Sequence, residues 1–361
     1  MTTAQLSAGD VLAQLDLSAA GDEGFALKVG GIGVKVLCPQ PLCDRLMAYF
    51  DDALADEAGA ITVHLLPDQK LTPEPAWTDW RRDGGKVGRK DAVCDLDGAR
   101  LIHKVRSGVT FYQSFDHAVA FGPLEQNEST VINFINTQAL NIALREGWQL
   151  AHAAAVTNGK RTLAISGLSG GGKSTSILRL MDTDGLSFLS NDRVLIKGGA
   201  PAKALGIPKQ PRINPGTILG NPRLAGLLTE ARTAELKAMA PADLWALEEK
   251  HDLVIRDVYG AGRVRFDGLM TDFWVLNWSH SAEQDTQISE VDLVSRPDLL
   301  QAIMKSPGPF YQKTDGSFEP NGNTPDPASY LQALKGVRVC EVSGKIDFDR
   351  IALAGRELFD G

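Results

Sequence analysis

Cysteine is scarce in this 361-residue chain: Cys38, Cys43, Cys94 and Cys340, with no C-x-x-C pair and no partnering histidines. That spacing argues against a zinc site or a disulfide framework and leaves reduced, partly buried thiols as the expectation. Long apolar runs are missing too; no stretch approaches the roughly 18 apolar residues that cross a bilayer. The opening "MTTAQLSAGDVLAQL" has no basic region followed by an apolar core, so it reads as no secretion signal and a cytoplasmic location is expected. Positive charge is in deficit: the net charge is −8, with acidic residues spread along the chain. A nucleic-acid surface needs a basic face, so neither nucleic acid nor membrane is expected as a partner. What remains is an ordinary globular composition, long enough for two domains.

Residues 1–125 read mainly as strands. "FALKVGGIGVKVLC" is a hairpin turning at Gly30-Gly31, and "AVCDLDGARLIHKV" another, with Asp97-Gly98 supplying the positive-φ turn. A third hairpin is expected in "GVTFYQSFDHAVAFG", and a short helix in "PLCDRLMAYF". An apolar helical face then runs through Val131, Ile132, Ile135, Leu140, Ala143 and Leu144, with Gly147 as its stop. The expected organisation is a β-rich region over 1–125 and a second domain over 126–361. In that second part "LVIRDVYG" and "GLMTDFWVLNW" read as strands, "SRPDLLQAIMK" as a helix, and 306–326 as a surface loop.

The most informative stretch is "GLSGGGKST", Gly167 to Thr175, which fits G-x-x-x-x-G-K-[ST]. Phosphate oxygens need several donors that converge without clashing. Gly167, Gly170, Gly171 and Gly172 let the backbone curl with its N–H groups inward, and the following helix adds its positive end. Lys173 reaches the β- and γ-phosphates, Ser174 is the expected Mg²⁺ ligand, and Ser169 and Thr175 add hydroxyls. The cofactors expected are therefore ATP and Mg²⁺. Upstream, "HAAAV" and "TLAIS" flank Asn158-Gly159, a strong hairpin turn. The strand feeding the loop is thus expected to pair antiparallel with the strand before it, whereas parallel βαβ units separate such strands by a helix.

Asp192 follows Lys173 by only 19 positions, at a strand end, and is the second candidate metal ligand. His152 begins the strand beside the loop strand, as a phosphate contact or proton partner. Phosphoryl transfer also needs cations on the moving oxygens. "KQPRINPG" offers Lys209 and Arg212, and "RDVYGAGRVR" offers Arg256, Arg263 and Arg265; Arg212 and Arg263 are preferred.

Together "AHAAAVTNGKRTLAISGLSGGGKSTSILRLM" and "FLSNDRVLI" resemble the kinase domain of the HPr kinase/phosphorylase-related family, and within it the kinase B subgroup. More loosely they are similar to the fold of phosphoenolpyruvate carboxykinase. The resemblance implies an α/β (α+β) fold, a P-loop kinase core on a mixed sheet with the β-rich region in front. His152, Gly167, Ser169, Gly170, Gly172, Lys173 and Ser174 match the family's motif, and Asp192 matches the second aspartate of its Asp-Asp pair. The first aspartate, the family's general base, falls on Asn191, which cannot take a proton. The resemblance implies a homo-oligomer and a kinase acting on a hydroxyl acceptor, a small molecule or a protein serine. Asn191 keeps a second reading open, a non-catalytic nucleotide sensor.

Overall fold

Turn chemistry lays out the first part of the chain. In the computed structural model, residues 6–57, 59–81, 88–167, 171–247 and 249–361 are described. Strands Gly24–Val29 and Ile32–Leu37 pair antiparallel across Gly30-Gly31, and Asp91–Leu96 pairs with Ala99–Lys104 across Asp97-Gly98. Gly30 and Gly98 take φ of 58° and 69°, the left-handed region that these tight turns require. Thr110–Gln113 and Ala118–Gly122 form the third expected hairpin. These strands join a mixed sheet that is nine-stranded among the described residues. Within it, Ile61–Pro67 lies parallel to both Ile32–Leu37 and Ala118–Gly122. Val11, Leu66, Leu101, Tyr112 and Phe121 fill one of its cores.

This compact unit does not stop at residue 125. It comprises residues 1–147 and 306–325. The helix Glu128–Arg145 buries Val131, Phe134 and Ile135, and Phe134 stacks on Phe111 at 4.4 Å, which ties it to the first sheet. A surface loop was expected over 306–326, yet Phe310, Gln312 and Glu319 are buried. Phe310 meets Phe111 edge-on, and the buried Arg100 donates to the carbonyls of Pro309 (3.1 Å) and Glu319 (3.0 Å). A Pro/Gly-rich segment can therefore be interior when a guanidinium collects its carbonyls.

The second compact unit comprises 148–305 and 326–361. Its sheet is also mixed. Ala153–Thr157 and Thr162–Gly167 form the antiparallel hairpin across Asn158-Gly159, while Thr162–Gly167 runs parallel to Asp267–Leu276, itself parallel to Arg338–Ser343. Every residue of Thr162–Gly167 is buried, as befits a central strand covered on both faces. Leu163, Ile165, Trp274 and Val342 pack on one face with Ile177, Leu180 and Ile351 from helices Lys173–Leu180 and Phe348–Asp360. Ala164, Phe273, Val275 and Val339 pack on the other with Leu300, Ile303 and Tyr330 from helices Pro297–Ile303 and Pro327–Ala333. The arrangement is a three-layer α/β unit. Part of "LVIRDVYG" departs from expectation: Ile255–Tyr259 is helical, because burying Ile255 and Tyr259, four apart, satisfies a helical period rather than an alternating one. Among the described residues no helix is long and apolar enough to cross a membrane.

Candidate functional site

The site lies in the second unit, where strand Thr162–Gly167 gives way to helix Lys173–Leu180. Leu168, Ser169 and Gly170 lie outside the described residues, so the expected roles of Ser169 and Gly170 have no structural description. Gly167 is close-packed: a Cβ there would sit 2.9 Å from the Cβ of Leu276. Gly172 has φ of 93° and caps the helix; a Cβ there would stand 2.7 Å from the Phe348 ring. The carbonyl of Gly171 accepts a hydrogen bond from Trp278 Nε1 at 2.9 Å, and Trp278 meets Phe348 edge to face. Two aromatic residues from distant parts of the chain thus back the loop.

Lys173 Nζ donates to the carbonyl of Gly167 at 3.0 Å, turning the lysine back to the end of the strand. Burial pushes its pKa down to about 8, and Lys305 and Lys250 add to this against the opposing charge of Asp192. Ser174 Oγ donates to Asn191 Oδ1 at 2.9 Å. Thr175 shares a hydrogen bond with the Thr217 hydroxyl at 2.8 Å, so its hydroxyl faces the short helix Pro215–Leu219.

Asp192 sits in the turn between strands Ser187–Ser190 and Val194–Lys197, at φ of 69°. Few non-glycine residues adopt that conformation, and aspartate is among those that do. The turn carries the carboxylate to two partners: His152 Nε2 lies 3.2 Å from Oδ1, and Lys305 Nζ 2.9 Å from Oδ2. Lys305 also donates to the Asp192 carbonyl at 3.2 Å. Burial alone would raise the pKa of Asp192, but the His152 hydrogen bond and the Lys305 and Arg193 charges hold it well below the usual carboxylate range. His152 is fixed through its backbone, donating to the Ile303 carbonyl at 2.8 Å and accepting from Ser166 Oγ at 3.0 Å. The Asp192 hydrogen bond favours protonated His152; burial and the charges of Lys305 and Lys173 outweigh it, and its pKa falls below the ordinary 6.5. At neutral pH the pair is a neutral imidazole hydrogen-bonded to a carboxylate.

Ser174 thus reaches Asn191 beside Asp192, Asp192 pairs with His152 and acts electrostatically on Lys173, and Arg212 and Arg263 do not join them. Arg212 pairs with Asp252 at 2.8 Å with about half of its side chain exposed. Arg263 donates to the carbonyls of Leu186 (2.6 Å), Met181 (2.7 Å) and Thr183 (3.1 Å). Those carbonyls lie beyond the C-terminal end of the loop helix, whose eight residues put that end about 12 Å from the loop. A guanidinium taken up by three carbonyls is a structural cap, which corrects the expected role. Lys305 was missed altogether. It lies 132 residues after Lys173, just past the helix Pro297–Ile303, and nothing in its flanking residues marks it.

Ser174 Oγ, Asn191 Oδ1 and the Asp192 carboxylate are hard oxygen donors grouped beside the loop. They suit Mg²⁺ that keeps waters and takes its other ligands from phosphates, rather than a cation caged by protein alone. No protein-family model and no curated protein matches the chain. Among solved structures the chain is similar to the Hpr(Ser) kinase/phosphatase from Coxiella burnetii, at 12% identity, over 59% of this chain and 89% of that one, with a TM-score of 0.30. So loose a likeness carries no chemistry across, and the site has to be read from its own residues.

Proposed function

We propose that the second unit is an ATP- and Mg²⁺-dependent kinase that transfers the γ-phosphoryl group to a hydroxyl of an acceptor. The observation that carries this reading is the hydrogen bond from Ser174, in the first turn of the loop helix, to Asn191, which stands beside the Asp192 that pairs with His152. Lys173 and the backbone N–H groups at the helix start would hold the phosphates. Ser174, Asn191 and Asp192 would hold Mg²⁺, which would neutralise part of the charge on the phosphates. The acceptor oxygen attacks the γ-phosphorus, the bond to the β,γ-bridging oxygen breaks, and ADP departs with that electron pair. The hydroxyl proton goes to His152. Asp192 is too weak a base for this, since its pKa is held so low, whereas His152 is neutral near pH 7 and has a lone pair to offer. Asp192 orients the imidazole and stabilises the imidazolium that forms. This division of labour accounts for the amide at Asn191, which accepts from Ser174 instead of taking a proton.

Lys173→Ala tests the reading. Loss of a charge-assisted contact of about 1.5–3 kcal/mol weakens ATP binding about 10- to 100-fold, followed by thermal shift, and abolishes transfer of labelled phosphate. Unchanged transfer would remove the site from consideration. Stoichiometric ATP binding by the wild type without hydrolysis or transfer, even with cell extract present, would instead support the sensor reading that Asn191 favours.

A further inference from the structure

The six-residue helix Pro241–Ala246 has no buried residue, so core burial does not explain its position. Isolated helices this short are marginal in water, and contacts outside the core must hold this one. Two such contacts lead back to the phosphate loop. On one side Leu244 meets Gly216 of the helix Pro215–Leu219, where an added Cβ would lie 3.9 Å from Leu244 Cγ. The residue after Gly216 is Thr217, whose hydroxyl bonds Thr175 at 2.8 Å. On the other side the Trp245 and His280 rings stand 4.3 Å apart with their planes at 88°. His280 is two residues past Trp278, whose indole donates to the Gly171 carbonyl. The helix is thus tied to both ends of residues 171–175.

Trp245 is 42% exposed, and among the described residues no other Trp, Phe or Tyr of the second unit is exposed. With the two planes near a right angle, His280 covers at most one face of the indole and leaves a face open. Trp278 and Phe348 are already occupied, the first on Gly171 and the second against Gly172. A flat π-surface left in water beside a phosphate loop suits a nucleobase, because every base offers a π-face to stack on an aromatic side chain. We infer that the base of the bound nucleotide stacks on Trp245, with His280 bracing the indole. The site then takes nucleoside triphosphates in preference to inorganic polyphosphate, and purines, with their larger face, ahead of pyrimidines. This inference rests on the kinase reading and deepens it by assigning the part of the donor that the loop itself does not hold.

The test titrates ATP, GTP, CTP and inorganic tripolyphosphate separately into the full chain with Mg²⁺, by calorimetry. ATP and GTP are expected to bind more tightly than tripolyphosphate, with CTP between them. Trp245→Ala should weaken ATP binding about 5- to 150-fold and leave the tripolyphosphate Kd within about twofold, while Trp245→Phe keeps most of the preference for ATP. Retained tripolyphosphate binding also shows that the variant is folded. Equal wild-type affinities for ATP and tripolyphosphate overturn the inference and leave the loop in place. So does a Trp245→Ala variant that weakens both ligands alike, because Trp245 would then support the loop, or one that weakens neither. A wild-type dimer that Trp245→Ala dissociates at unaltered ATP affinity likewise overturns it and assigns the ring to a second copy of the chain. Failure of the wild type to bind either ATP or tripolyphosphate overturns the kinase reading and this inference with it.

Discussion

Replacing Gly172 with alanine strains the loop in two separable ways. At φ of 93° an L side chain costs about 1–2 kcal/mol against the neighbouring carbonyl. The new Cβ also falls 2.7–2.8 Å from two carbons of the Phe348 ring, closer than real contacts allow, and such overpacking costs about 1–3 kcal/mol. The ring cannot shift freely, because it stands edge-on to Trp278 at 5.2 Å and Trp278 is hydrogen-bonded to Gly171. Together the terms come to about 2–5 kcal/mol, which for a unit of this size lowers Tm by roughly 5–15 °C. The assay is thermal and urea unfolding of four chains: wild type, Gly172→Ala, Phe348→Ala and the double variant. In the Phe348→Ala background the cost of Gly172→Ala should fall to about 1–2 kcal/mol, the left-handed contribution alone. Equal costs in the two backgrounds, or a Tm for Gly172→Ala within about 2 °C of the wild type, would refute the proposed backing of the loop.

His152→Ala should slow phosphoryl transfer about 10²- to 10⁴-fold with nucleotide Kd little changed, measured by steady-state kinetics beside a binding titration. Because His152 sits below its ordinary 6.5, wild-type transfer should be flat above that pH and fall only as pH drops through the lower folded value. The stability this group contributes is likewise present above 6.5 and lost as pH falls through that window, where the unfolded chain binds more protons. Lys173, pushed down to about 8, is only partly charged at pH 8, and phosphates favour its charged form. Nucleotide binding at pH 8 should therefore take up protons, read by calorimetry in buffers of different ionisation heat, and the uptake should vanish near pH 6. Arg263→Ala should destabilise the unit by about 2–5 kcal/mol through three abandoned carbonyls and leave nucleotide affinity intact. A large affinity loss at unaltered stability would return Arg263 to the phosphates.

Local signals were legible where the chemistry is local. Turns at Gly30-Gly31, Asp97-Gly98 and Asn158-Gly159 need positive φ or an amide side chain, and the residue type records that need directly. Lys173, Ser174 and Asp192 declare themselves by spacing along one strand–loop–helix passage. His152 was found because the hairpin register places its strand beside the loop strand. Lys305 is different: its approach to Asp192 depends on the helix Pro297–Ile303 packing on the opposite face of the sheet, a long-range placement that no local motif around Lys305 announces. Arg263 misled for a related reason. An arginine just after Gly260 and Gly262 suits an anion and a cluster of carbonyls equally well, and only the position of the loop helix's far end decides between them.

The excursion of residues 306–325 sets a schedule for synthesis. Strands and helices up to Gly147 leave the ribosome early, but Arg100 must wait for the carbonyls of Pro309 and Glu319, and Phe111 and Phe134 for the ring of Phe310. By then nearly all of residues 148–305 has already emerged. Domains usually finish one at a time from the N-terminus. Here the early unit is held incomplete until the later one is almost wholly outside, so the two mature in the same interval and a chain cut at Gly147 would leave Arg100 with Asp95 but without the carbonyls of Pro309 and Glu319.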